Sequence, residues 1–167
     1  MLAMTPRIRD ATPGDWPAIW SIVREVVVAA DTFPYDPEMT EDEGRALWMV
    51  AHPGRTTVAV DGAEVHGTAN MYANRAGPGA HVASASFMVA SAARGRGVGR
   101  ALVEDALSWA RVARFKAMQF NAVAETNAAA VSLYRSLGFS IVGTVPDAFD
   151  HPKRGLVGLH VMHLKLR

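Results

Sequence analysis

Hydrophobic positions fall into two periods along this chain, and the places where the period changes outline its elements. Trp16, Ile19, Trp20, Val23 and Val27 recur every three or four residues, the stripe of one helical face. Thr12, with Asp15 three residues later and Pro13 at the first helical position, resembles a capping box and starts that helix, which runs to about Ala29. A short strand over 7–10 precedes it. Thr40 and Glu43 suggest a second cap, with a helix to about Val50. The period then shifts toward two. Strands are expected over 56–60 and 64–72, joined at Asp61-Gly62, a hairpin signal. Another covers 81–90, with Val82, Phe87 and Val89 as its β-formers. A helix over 97–115, a strand over 117–124, a helix over 127–137, a strand over 139–145 and a long strand over 156–166 complete the pattern. The order β-α-α-β-β-β-α-β-α-β-β predicts a single α/β (α+β) domain over 1–167, a mixed sheet with helices on both faces.

Composition narrows the function classes. The chain has 167 residues, 50% of them hydrophobic and 20% charged, which suits one globular domain. Lys and Arg number 17 against 16 Asp and Glu, so no overall field points to nucleic acid or an anionic membrane. The longest candidate apolar run, 26–30, is far short of the roughly 18 residues of a spanning helix. Pro6, Arg7 and Arg9 interrupt the start where a signal peptide would be apolar. The expectation is a soluble cytoplasmic protein, with Met4 as a candidate second start. Cysteine is absent, which excludes disulfides, thiolate metal sites and a protein thiol nucleophile. The six histidines form no metal constellation: His160 and His163, three apart on a strand, point to opposite faces, and His151 lies in an Asp-His-Pro turn. No metal is expected.

The sharpest chemical feature is Arg94-Gly95-Arg96-Gly97-Val98-Gly99-Arg100, which follows a strand and opens a helix. Closely spaced glycines let backbone N–H groups converge on an anion, and the helix adds free donors and partial positive charge. The flanking arginines can reach phosphates directly. A P-loop would need Gly-Lys-Ser/Thr where Gly99-Arg100-Ala101 stands. A dinucleotide fingerprint would need a third glycine where Arg100 or Leu102 stands. An ordinary strand–helix turn is the other reading, and the three glycines together with the three arginines weigh against it. The loop therefore reads as a pyrophosphate cradle.

Downstream, Asn127 sits where a strand yields to a helix, and Tyr134 follows seven residues later on the same helical face. Gly138 reads as a C-cap and Phe139 as the start of the next strand. Taken alone, Asn127 would be a helix cap and Tyr134 a core aromatic. Together, Arg94-x-x-Gly97-x-Gly99 and Asn127…Leu133-Tyr134-x-x-x-Gly138-Phe139 resemble the two signatures of the GCN5-related N-acetyltransferases (GNAT), in order and spacing, over roughly 80–145. The resemblance implies a mostly antiparallel sheet of about seven strands whose fourth strand splays from its neighbour. It implies acetyl-CoA as cosubstrate, with backbone groups of Met88 and Val89 on the pantetheine arm. Arg94, Gly95, Arg96, Gly97, Val98, Gly99 and Arg100 would hold the pyrophosphate, Asn127 would contact the cofactor, and the Tyr134 hydroxyl would lie near the thioester sulfur. A backbone N–H near Val89 is then the candidate oxyanion donor and Tyr134 the proton donor to the leaving thiolate. Glu125 is the nearest carboxylate in sequence; a catalytic base and a solvated surface Glu both remain open for it.

Asn121 stands six residues before Asn127, an even spacing that puts both amides on one face of a regular strand; an Asn at a strand bulge is the other reading. This segment, with 141–149 and 155–162, resembles a narrower branch, the fungal acetyltransferases of azetidine-2-carboxylate and hydroxyproline. That resemblance implies that Asn121 and Asn127 orient the acceptor. Phe33, Pro34, Tyr35, Asn70 and Tyr72 are candidates for the acceptor pocket. The expected activity is N-acetylation of a small-molecule amine, with an amino acid or proline analogue as one form. A protein N-terminus or lysine as acceptor, and a non-catalytic acyl-CoA-binding module, are the alternatives. The C-terminal strand and the loop over 149–155 suggest a homodimer formed through an exposed edge.

Overall fold

The computed structural model describes residues 5–167, so the Met4 start lies outside the described residues. The elements follow the predicted order: β1 (Arg7–Asp10), α1 (Trp16–Ala29), α2 (Glu41–Trp48), β2 (Arg55–Asp61), β3 (Glu64–Ala73), β4 (Val82–Val89), α3 (Val98–Val112), β5 (Ala117–Ala124), α4 (Ala128–Ser136), β6 (Ser140–His151) and β7 (Gly155–Lys165). Local chemistry sets the helix starts. The Thr12 N–H donates to Asp15 Oδ2 at 2.7 Å, and Arg9 binds the same carboxylate with both guanidinium ends, at 2.7 and 2.8 Å. These Arg9 hydrogen bonds hold the Asp15 carboxyl well below the usual carboxylate range. At α2, Thr40 and Glu43 close a full capping box.

The strands form one sheet in the order β1-β2-β3-β4-β5-β7-β6. Every neighbouring pair is antiparallel except β4 and β5. Alternating side chains divide the core between the two faces. On one face α3 and α4 cover Ala69, Met71, Ala83, Ala85, Phe120 and Met162. On the other, α1 and α2 cover Val58, Val60 and Met88 with Ile19, Val23, Val27 and Trp48. The predicted stripe of α1 is buried except for Trp20, which is half-buried and packs against Gly44 of α2.

Two expectations need correction. The strand expected to end at Val145 runs on to His151, because a register shift between Val145 and Phe149 absorbs Pro146 and Asp147, and Phe149 rejoins the ladder opposite Val157. Pro146-Asp147 is turn chemistry, but here it makes an irregularity within a strand. Nor is the C-terminal strand an edge. β7 lies between β5 and β6, and the two edge strands are β1 and β6. Among the described residues, no helix is long and apolar enough to cross a membrane.

The seating of α3 on the sheet depends on Gly67 in β3. A Cβ there would lie 2.8 Å from Val98 Cγ1, 3.1 Å from Leu102 Cδ1 and 3.1 Å from the Met88 carbonyl oxygen. The first turn of α3 would have to move to accommodate it. Gly67→Ala is expected to destabilise the fold by about 1–3 kcal/mol, as overpacking of a filled core does. Denaturant unfolding reads the change; an unaltered midpoint would show that α3 does not depend on this close approach.

Candidate active site

β4 and β5 pair through only two positions, Val82 with Ala117 and Ala83 with Met118, before they separate. Two features draw β5 away. A bulge at Asn121-Ala122 shifts its register with β7 between Phe120 and Val123. Past Ala124, the Glu125 N–H donates to the Gly158 carbonyl at 3.0 Å, and the Glu125 carboxylate accepts the Gly158 N–H at 2.5 Å. The side chain thus replaces a strand carbonyl at the point where β5 leaves the sheet for α4. Glu125 is therefore a strand clamp on β7, and it is not among the residues lining the cleft. The sequence left a catalytic base and a solvated surface residue open for it; the structure places it in a third role.

The separation exposes one edge of β4. The Ala90 N–H donates to the His66 carbonyl at 2.9 Å, and the Asn74 N–H to the Val82 carbonyl at 2.8 Å. In an antiparallel ladder, hydrogen-bonded pairs alternate, so Ser84, Ser86 and Met88 also turn their backbone groups toward β3. Phe87 and Val89 turn theirs toward β5, where no strand meets them. This differs from the expectation for Met88. Its backbone groups pair with Thr68 in β3, and its side chain is buried beneath α1. Phe87 takes its place beside Val89. Strand parity contained this signal, but only the register says which parity faces the gap.

The opening between the strands is a cleft of about 940 Å³. One end lies at the start of α3. Gly95 and Gly97 adopt φ of 73° and 84°, the left-handed region that glycine alone enters cheaply. The Ala101 N–H bonds to the Gly97 carbonyl, so the N–H groups of Val98, Gly99 and Arg100 have no partner within the helix. Arg94 and Arg100 line this end. Arg100 also reaches across to α4, donating to Ser136 Oγ at 2.7 Å and pairing with Glu104 at 3.3 Å. Arg96 is half-buried, has its own partners within the chain and does not line the cleft, so the three arginines do not act as one cluster. Positive-φ glycines, free helix N–H groups and two arginines are a donor set that fits a pyrophosphate. The unpaired edge of β4 fits an amide-bearing chain laid alongside it.

α4 forms the opposite wall. Asn127 caps it, its Oδ1 accepting the Ala130 N–H at 3.3 Å, and lines the cleft as well. The cap reading holds, and the cap residue also borders the cleft. Tyr134 faces the gap from two turns further on. Its ring packs on Phe120 with centroids 4.6 Å apart and on Phe87 at 6.2 Å, while Phe120 stacks on Phe139 at 4.5 Å. Burial pushes the Tyr134 hydroxyl above its ordinary value, so it keeps its proton across the neutral range. The hydroxyl makes no hydrogen bond among the described residues.

Asn121 lines the cleft, but its side chain is engaged. It accepts from Gln119 Nε2 at 2.9 Å and donates to Asn74 Oδ1 at 2.7 Å. The even spacing to Asn127 does not carry the geometry, because the bulge breaks the alternation and the strand ends at Ala124. On the α1 face, Phe33, Pro34, Tyr35 and Tyr72 line the cleft with Asp31, Ser84, Ser86 and His151. Asn70 is instead buried beneath α2, donating weakly to the Leu47 and Trp48 carbonyls. Asp31, Ser86 and His151 have no motif around them that sequence reasoning could have used.

The family model "Acetyltransferase (GNAT) family" matches residues 16–139. A GCN5-related N-acetyltransferase from Kribbella flavida is 60% identical, with a TM-score of 0.93 over 96% of this chain and 97% of that one. The putative acetyltransferase yncA from Salmonella typhimurium, solved with its cofactor acetyl-CoA, is 26% identical, with a TM-score of 0.82 over 98% of this chain and 95% of that one. N-acetyltransferase aca1 from Schizosaccharomyces pombe is 26% identical over 132 residues, 70% of this chain and 63% of that protein. The chain spans less than two thirds of the length of the curated relatives it matches.

The loop geometry can be tested directly. A Cβ at Gly97 would meet no atom of the chain, so the backbone angle alone requires glycine there. Gly97→Ala forces a non-glycine residue into a region costing about 1–2 kcal/mol. Its Kd for acetyl-CoA, measured by calorimetry, is expected to rise about tenfold. An unchanged Kd would remove the turn from cofactor binding.

Proposed function

The chain belongs to the GNAT family of acetyltransferases, with acetyl-CoA as cosubstrate, and from that premise we propose that it transfers the acetyl group directly to the amine of a small molecule. One observation carries the reading: Tyr134, the free edge of β4 and the start of α3 all line the same cleft. Acetyl-CoA supplies an activated acyl group as a thioester, which lets one small domain perform the transfer.

The protein's part is binding, orientation and charge. Gly95, Gly97, the first N–H groups of α3 and Arg94 hold the pyrophosphate, and Phe87 and Val89 hold the pantetheine amides along the edge of β4. The Val89 N–H, fixed by the β3–β4 ladder, donates to the acyl oxygen as it gains negative charge. A new N–C bond forms as the C–S bond breaks. Tyr134 gives its proton to the departing sulfur, the amine's proton passes to water, and water returns a proton to the Tyr134 oxygen. Because the chain has no cysteine, no acyl group rests on a protein thiol.

Tyr134→Phe is expected to lower kcat by about ten- to a thousandfold with little change in acetyl-CoA affinity. Thiol release measures turnover and calorimetry measures binding. Equal turnover in the variant would remove Tyr134 from the acid role.

We propose a homodimer as well, with the contact moved to β6, one of the two edge strands. β6 and the adjoining turn of β7 expose Val142 (68%), Val145 (52%) and Leu156 (62%), large apolar side chains beside unpaired backbone. Light scattering at micromolar concentration is expected to give twice the 17.9 kDa chain mass. Val142→Lys should return it to the monomer. A wild-type monomer would overturn the proposal.

A further inference from the structure

The two ends of the cleft differ in charge, and the end away from the pyrophosphate loop has the chemistry of a cation site. It lies on the α1 face of the sheet. Ser84 and Ser86 project there from β4 and Tyr72 from β3, opposite Ser84. Tyr35 lines the same stretch, and its ring stacks on Phe33 with centroids 5.4 Å apart. Asp31 follows directly on the C-terminal end of α1, where Ala30 turns into the left-handed region with φ of 52°. The last carbonyls of a helix carry partial negative charge, and α1 adds theirs to the Asp31 carboxylate. Asp31 is half-buried, lines the cleft and makes no ion pair among the described residues.

Nothing along this stretch offsets that charge. The cleft-lining arginines, Arg94 and Arg100, belong to the start of α3, and no lysine lines the cleft. Arg75, Lys153 and Arg154 are exposed on turns and are not part of the lining. His151 lines this end, but its Nδ1 accepts the Lys153 N–H at 3.1 Å. Its neutral form therefore carries the proton on Nε2, giving one uncharged donor. A stacked aromatic pair, hydroxyls and an unpaired carboxylate suit an ammonium group on an apolar or aromatic body. An α-carboxylate next to the amine would sit close to Asp31 and the end of α1 without a guanidinium or ammonium in the lining to receive it.

We propose that the acceptor end selects a protonated amine carried on an apolar or aromatic body, with Asp31 as its counter-charge, and discriminates against α-amino acids. This rests on the small-amine reading and narrows it away from amino acids and proline analogues. The amine binds as the ammonium ion and loses its proton to water before attack.

The test uses the full chain, acetyl-CoA and matched acceptors: phenethylamine with phenylalanine, tyramine with tyrosine, and azetidine with azetidine-2-carboxylate. The expected kcat/KM, from thiol release, is at least tenfold higher for the first member of each pair. Asp31→Asn should raise KM for the amine about tenfold, leave KM for acetyl-CoA within twofold and narrow the ratio within each pair. Asp31→Glu should restore much of the preference, and thermal melts of both variants separate a folding defect from a lost contact. Preference for the carboxylate-bearing members, or a ratio unmoved by Asp31→Asn, overturns this inference and leaves the small-amine reading intact. No turnover of any member, with acetyl-CoA still bound, overturns both.

Discussion

The two-residue ladder between β4 and β5 is the constraint on which the rest of this molecule depends. A complete ladder would use the backbone groups of Phe87 and Val89 and close the sheet. Its early end leaves those groups free and opens a passage from the α3 face to the α1 face. β5 is held back by its own departure from regularity: the bulge at Asn121-Ala122 and the Glu125 carboxylate standing in for a backbone carbonyl at Gly158. Gly158 is itself part of the device. A Cβ there would fall 2.6 Å from Thr144 Cγ2 and 3.1 Å from Glu125 Oε2.

Charge is arranged around that passage. The net charge of +1 is an average over regions of opposite character. The start of α3 offers N–H groups, Arg94 and Arg100 to an anion. Across the sheet, the end of α1 and Asp31 present negative charge. A phosphate-bearing cosubstrate and a cationic acceptor would thus approach from opposite sides and meet at the splay, where Tyr134 stands on a platform of Phe120, Phe87 and Phe139. Burial among these rings keeps the phenol protonated at neutral pH, the form in which it can donate.

Much of the fold was legible in the chain. The helical stripe of α1, the capping boxes at Thr12 and Thr40, the Asp61-Gly62 turn and the sequence of elements rest on local chemistry, and the structure keeps them, although the Thr12 box closes on a 3-10 turn over Pro13–Asp15 and α1 begins at Trp16. The glycine loop was legible for the same reason, since left-handed backbone at Gly95 and Gly97 is a local demand. Where reading failed, the deciding partner was distant. Pro146-Asp147 reads as the end of a strand, but β7 supplies a ladder that resumes at Phe149. Met88 reads as equivalent to Val89, but pairing with Thr68 turns its backbone away from the gap. The even spacing of Asn121 and Asn127 presumes a regular strand, and β7 imposes a bulge.

The sequence by itself determined the periodicity of the elements, the glycine turn that opens α3, the family signatures and the absence of a protein thiol, because each is set by residues close together in the chain or by composition. Tertiary structure alone decided which edge of β4 is free, that Glu125 is a clamp, that β6 and not β7 ends the sheet, and that Asp31, Tyr35 and Ser86 line one cleft. Those outcomes depend on strand order and register. They are set by which nonlocal hydrogen bonds and buried faces can be satisfied together, and no short stretch of sequence carries that information.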